Sequence, residues 1–199
     1  MSLLVVAPSL KEFFKRTLNE AMSRHRLELE EVTEFYLVNL LADFIDTEKL
    51  LPEKTEGGRR EHESLALLYH RAQQEDRDGR IKLLRRLGDV SLYRAGFFSD
   101  SLRAQVVGAD YYIQMGCTAY GQVAELTPQS GFAGVYRELN QKFRSLVEVL
   151  EEIAARGMVA QGPEGALQVY ESWSRTGSER LERVLVDAGV LVPKPGLPN

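Results

Sequence analysis

From Ser9 to His25 the residues Leu10, Phe13, Phe14, Thr17, Leu18, Ala21 and His25 recur at three- and four-residue intervals, with Ser9 placed to cap the first turn. That spacing predicts an amphipathic helix. Residues 30–46, EEVTEFYLVNLLADFID, are apolar over more than one stripe, which predicts a helix lying deep in the domain. A loop composition follows at 52–60, PEKTEGGRR, and then a third helix through EHESLALLYHRAQQED. Asp78 and Gly79 are expected to punctuate the chain before a fourth helix over about 80–98, whose apolar residues leave little polar face. Ser99, Asp100 and Ser101 supply capping chemistry ahead of a fifth helix, ADYYIQMGCTAYGQVAEL.

The longest regular pattern runs through Phe132, Tyr136, Leu139, Phe143, Leu146, Leu150 and Ile153, where spacings of four and three alternate. It predicts one long helix over 130–156, ended by Gly157, whose stripe serves either as the bundle's own core or as an interface with another chain. GPEG at 162–165 breaks the chain. A short helix carrying Leu167, Tyr170 and Trp173 comes next, and Thr176 with Glu179 reads as a capping box opening a last helix. Only the short runs Leu3–Val6 and Val190–Val192 compete as strands, and no internal repeat is present. The expected fold is all-α: a single-domain helical bundle of about seven to eight helices over residues 1–189, with an apolar central helix pair and an extended or disordered tail at 190–199.

Composition narrows the class without naming a function. Hydrophobic residues at 44% are enough for a real core, and a net charge of −4 with a pI near 5.5 argues against a general nucleic-acid binder or a polybasic membrane-surface protein. The lone Cys117 excludes an intrachain disulfide and fits a reducing compartment, so a cytoplasmic location is expected. The apolar start, SLLVVA, lacks the basic region of a signal peptide, and no segment has the length of a membrane span.

Candidate chemistry concentrates in the two central helices. Gly88 and Gly96 in one, and Gly116 and Gly121 in the next, each cost about 0.5–1 kcal/mol relative to alanine in a helix interior. Close helix packing is the simplest gain that offsets this; room for a flat ligand is the other. Asp89 has Arg85 and Arg86 one turn before it and Tyr93 one turn after, whereas Arg94 must reach the surface or meet an acid such as Asp110 or Asp43. Together Asp89, Tyr93, Arg94, Tyr112 and Tyr120 frame a candidate pocket between the helices at about 80–98 and 109–126.

The remaining motifs are weaker. The run RLGDVS, 86–91, resembles the Gly-Asp stretch of the distal helix of haem oxygenases, but the chain continues with Leu92 and Tyr93 where that family has a glycine pair, and no residue role is carried over. His25, His62 and His70 lack metal-site spacing; His25 reads either as a hydrogen-bonded histidine or as an axial ligand, and no cofactor is identified. The basic cluster Arg77, Arg80, Lys82, Arg85 and Arg86 reads as a solvated helix end, with phosphate or nucleic-acid contact as the alternative. Neither a nucleophile elbow nor a phosphate-binding loop is present.

Two function classes follow. The first is a non-enzymatic all-α protein acting by self-assembly, as a homodimer for example, or by partner binding, with Phe132, Tyr136, Leu139, Phe143, Leu146 and Leu150 as the interface. The second is a protein that binds a small molecule or cofactor in the candidate pocket, with or without catalysis.

Overall fold

Local capping chemistry decides where several of the helices begin. Ser9 Oγ accepts the Glu12 amide at 3.2 Å while Glu12 Oε2 accepts the Ser9 amide at 2.7 Å, a reciprocal box that starts α1, Leu10–His25. Helix α2 is Glu31–Ile45. Ser64 caps α3, Leu65–Gln74, and Asp76 caps α4, Arg77–Phe97, by accepting the Gly79 amide at 2.8 Å. Asp78 and Gly79 therefore lie in the first turn of α4 rather than ahead of it. The chain continues as α5, Ala109–Leu126, α6, Ala133–Gln141, α7, Phe143–Ala160, α8, Pro163–Thr176, and α9, Glu179–Asp187. This computed structural model describes residues 9–45, 64–99 and 108–192; among them are nine helices and no strand, so the fold is all-α. The expected loop at 52–60, His62, Asp100, Ser101, the run Leu3–Val6 and the tail beyond Val192 lie outside the described residues.

Two expectations for the C-terminal half are corrected. The single helix over 130–156 is broken at Lys142, where φ −101° and ψ 11° leave the helical region. No proline or glycine marks the break. At the break Lys142 Nζ donates to the Glu28 carbonyl at 2.6 Å and to Glu138 Oε1, one turn earlier, at 2.8 Å. Nor does Gly157 end α7, which runs on to Ala160. The capping box expected from Thr176 and Glu179 does not form either. Gly177, at φ 63°, closes α8 in the left-handed conformation, and Ser178 caps α9 by accepting the Leu181 amide.

The core is built around α4, which packs on α2, α3, α5 and α7. Leu84, Leu87 and Leu92 of α4 are fully buried with Leu18 of α1, Leu37 and Leu41 of α2 and Leu146 and Leu150 of α7. A second, smaller apolar cluster joins Ala155 at the far end of α7 to Val169 and Trp173 of α8 and Leu181, Val184 and Leu185 of α9. Helix α7 thus belongs to both clusters, and the seam between them falls alongside its middle.

Across the chain a buried carboxylate ties the ends together. Glu152 of α7 is 5% exposed, and its Oε1 accepts Arg24 Nε at 2.5 Å and Arg156 Nε at 2.7 Å. Its Oε2 meets His25 Nε2 at 2.8 Å, and Arg156 reaches on to Asp187 of α9. The guanidinium groups and the histidine outweigh burial and hold the Glu152 carboxyl below its ordinary range.

Candidate functional site

The glycines of α4 and α5 answer to side chains. A Cβ on Gly88 would stand 2.5 Å from Cε1 of the fully buried Tyr120 ring, and one on Gly116 would stand 2.1 Å from Cζ of Phe143. At Gly96 it would meet Leu150 at 2.4 Å. These spaces admit a ring or a leucine from α5 or α7. Packing is the gain that offsets the glycines, and the spaces beside them are filled.

The five residues expected to frame one pocket fall into three places. Asp89 and Tyr120 come together, and the tyrosine hydroxyl donates to Asp89 Oδ1 at 2.8 Å. The same oxygen accepts a 2.6 Å hydrogen bond from Tyr36 of α2, a residue the sequence reading did not single out. The Tyr136 ring of α6 packs against both phenol rings, with centroids 5.7 Å from Tyr36 and 6.0 Å from Tyr120, so α2, α4, α5 and α6 meet in one cluster. Burial pushes the Asp89 carboxyl up to about 6, against the two phenol hydrogen bonds and Arg85, which pull it down. Burial also raises Tyr36 and Tyr120, so both phenols stay protonated donors.

Tyr93 points elsewhere, stacked between Phe44 and Phe97 with ring centroids 4.7 and 4.9 Å away. It is not a partner of Asp89. Arg94 forms the third place, its Nη1 donating to the Tyr112 hydroxyl at 3.4 Å. Asp110, offered as an acid for Arg94, instead pairs with Arg144 at 3.1 Å.

The basic cluster on α4 is also more structural than a solvated end. Arg77 donates to the Leu126 carbonyl at 2.6 Å, closing the C-terminus of α5, and Arg80 reaches Gln122 at 3.2 Å. Of the interface candidates, Tyr136, Leu139, Phe143, Leu146 and Leu150 are buried in the chain's own core, and only Phe132 is open, at 53% exposure. The stripe is core because α6 and α7 fold it against α4 and α5. His25, held by Glu152, is a hydrogen-bonded histidine, and Cys117 sits 3.8 Å from the Asn140 carbonyl with its thiol pushed up by burial.

An unfilled space lies at the seam of the two apolar clusters, which no sequence pattern marked. It is a cleft of about 150 Å³ between the C-terminal end of α4 and helices α7, α8 and α9, walled by Phe97, Phe98, Met158, Val169 and Leu181. On its rim Arg180 of α9 donates through Nη2 to Glu151 of α7. These side chains are 17% and 11% exposed, so the ion pair is largely withdrawn from water. Arg180 Nε is buried with no acceptor. The guanidinium therefore carries more donors than Glu151 engages.

No protein-family model matches the chain, and neither the curated proteins nor the solved structures contain a match. Its function has to be read from its own residues. Among the described residues no helix is long and apolar enough to cross a membrane, and no group of three or more His, Cys, Asp or Glu side chains is placed to hold a metal ion.

Proposed function

We propose that this protein binds a small, mainly apolar molecule in the cleft between α4, α7, α8 and α9. One observation carries the reading: an apolar, aromatic-walled space whose rim holds a charged pair with an unmatched buried donor. Ligand sites combine apolar walls with a few polar groups that fix orientation, and the cleft has both. A volume of about 150 Å³ suits a single ring or a short branched chain. The pocket expected between α4 and α5 has its polar groups bonded to one another, which moves the ligand-binding reading to this seam. The self-assembly reading rested on the stripe from Phe132 to Leu150, and it loses its surface once all but Phe132 are core.

Native mass spectrometry of the purified protein, with benzene and benzyl alcohol as added probes, tests the proposal. Added mass on each subunit, or a rise in melting temperature with the probes, is expected for the wild type. Both should vanish in Ala154→Phe, which places a ring in the cleft. Probes that leave the wild type unchanged, or shift both proteins equally, would overturn it.

A further inference from the structure

The apolar interior divides along the chain. Among the described residues, every side chain of the larger cluster lies between Phe14 and Ile153, and every side chain of the smaller one lies between Ala155 and Val192. The smaller cluster is therefore built from one unbroken C-terminal stretch, the last turns of α7 together with α8 and α9. Helices α8 and α9 find their main packing partners in α7 and in each other. Contiguous segments with a core of their own open as units, at a lower free energy than the whole fold. Polar ties join this stretch to the body of the bundle. Arg180 of α9 donates to Glu151, and Arg156, which holds Asp187 of α9, also donates to Glu152 Oε1 at 2.7 Å.

The walls of the cleft come from both sides of the same division. Phe97, Phe98 and Ala154 belong to the body, whereas Met158, Val169 and Leu181 belong to the C-terminal stretch. With that stretch lifted away the two walls part, so an occupant needs it docked. A ligand that binds only one of two states favours that state by one plus the ratio of its concentration to its Kd. From this shared division of core and cleft we infer that residues 155–192 undock from the bundle as a unit, and that a ligand in the cleft holds them docked. The undocking follows from the two clusters alone; the ligand's part in it rests on the reading above that the cleft is a ligand site.

Native-state hydrogen exchange, followed by NMR on the full chain, tests both. In the free wild type the amides of Val169, Trp173, Val184 and Leu185 should exchange at least about tenfold faster than those of Leu84, Leu87 and Leu92. They should also respond less steeply to low urea, because less surface is exposed when they open. Gly88→Ala, which strains the body alone, should speed exchange in α4 and leave the C-terminal set unchanged. One rate and one urea slope shared by both sets overturns the inference, and this wild-type comparison decides even where the variant fails to fold. Benzyl alcohol at about ten times its Kd should slow the C-terminal set by about tenfold. Benzyl alcohol that binds without slowing that set overturns the ligand's part and leaves the cleft as a ligand site. Benzyl alcohol that does not bind overturns the cleft reading and the ligand's part together, while exchange in the free protein still decides the undocking.

Discussion

Replacing Asp89 with asparagine tests whether the polar cluster at the centre of the bundle carries a withdrawn carboxylate. Burial raises the Asp89 carboxyl from 3.8 to about 6 in the folded protein. The folded state therefore holds its proton more tightly than the unfolded chain, and stability falls as pH rises from the unfolded value through the folded one. The swing corresponds to about 3 kcal/mol in full, and to roughly 2–3 kcal/mol between about pH 4 and about pH 7.5. Asparagine does not titrate. Its carbonyl oxygen can accept the Tyr36 and Tyr120 hydroxyls as Oδ1 does, while its amide introduces a donor whose cost of about 1–3 kcal/mol is independent of pH. The informative quantity is therefore the change with pH in the stability difference between variant and wild type. Titrations of the other carboxylates, Glu138 and Glu152 among them, cancel from it. Urea denaturation followed by far-ultraviolet circular dichroism supplies that difference at each pH. Asp89→Asn should gain roughly 2–3 kcal/mol on the wild type between about pH 4 and about pH 7.5. Profiles that run parallel would mean that Asp89 titrates in the fold as it does in water, and the account of its burial would be wrong.

Three further outcomes follow from the packing and the charges. Gly88→Ala and Gly116→Ala should each destabilise by about 1–3 kcal/mol, because the Tyr120 and Phe143 rings they meet have no exposed side to retreat to. Gly157→Ala, which meets open space within α7, should instead gain up to about 1 kcal/mol; equal effects in the three variants by urea denaturation would refute the packing argument. Glu152→Gln leaves Arg24, Arg156 and His25 without their shared anion and should cost about 2 kcal/mol, less than for a fully buried pair because both arginines reach solvent. Since Glu152 is held below its ordinary range, its contribution is present above the unfolded carboxyl value and is lost as pH falls through the folded one, so the penalty should shrink in acid. Cys117, with its thiol raised by burial, should be alkylated by iodoacetamide far more slowly than glutathione at neutral pH and should react fully once the chain is unfolded in urea.

Helices α1 and α5 were legible because their apolar residues repeat at helical spacing, and α2 and α4 because their apolar runs are too long for a strand and fit a buried helix. The break at Lys142 was not, since the heptad rhythm passes through it undisturbed and the one contact peculiar to it, Lys142 to the Glu28 carbonyl, is far away in sequence. The start of α9 was misplaced by two residues through reading Thr176 as a cap. Gly177 followed by Ser178 is the stronger signal, a left-handed stop followed at once by a hydroxyl that caps the next helix. Grouping Asp89 with Arg94 failed on helical geometry, whereas Tyr93, one turn from Asp89, is drawn into the stack with Phe44 and Phe97. Successive positions turn by about 100°, so Arg94 leaves the face that Asp89 presents to Tyr36 and Tyr120. The cleft could not be read at all, because its walls come from four separate helices and none of them is distinctive alone.

The polar load of the central helix has a structural logic once its partners are seen together. Asp89 meets phenols from α2 and α5, and both of their rings pack against the Tyr136 ring of α6 at centroid distances of 5.7 and 6.0 Å. Apolar contacts alone tolerate rotation or sliding of one helix on another, since leucine packs acceptably in several registers. A withdrawn carboxylate does not, because a register that removes Tyr36 or Tyr120 takes away one of its two phenol donors. The cluster thus selects one arrangement of α2, α5 and α6 around α4. That same arrangement seats Tyr120 over Gly88 and Phe143 over Gly116, and with Leu150 at Gly96 it places α7 where its far half can hold Glu151 and Met158 at the cleft.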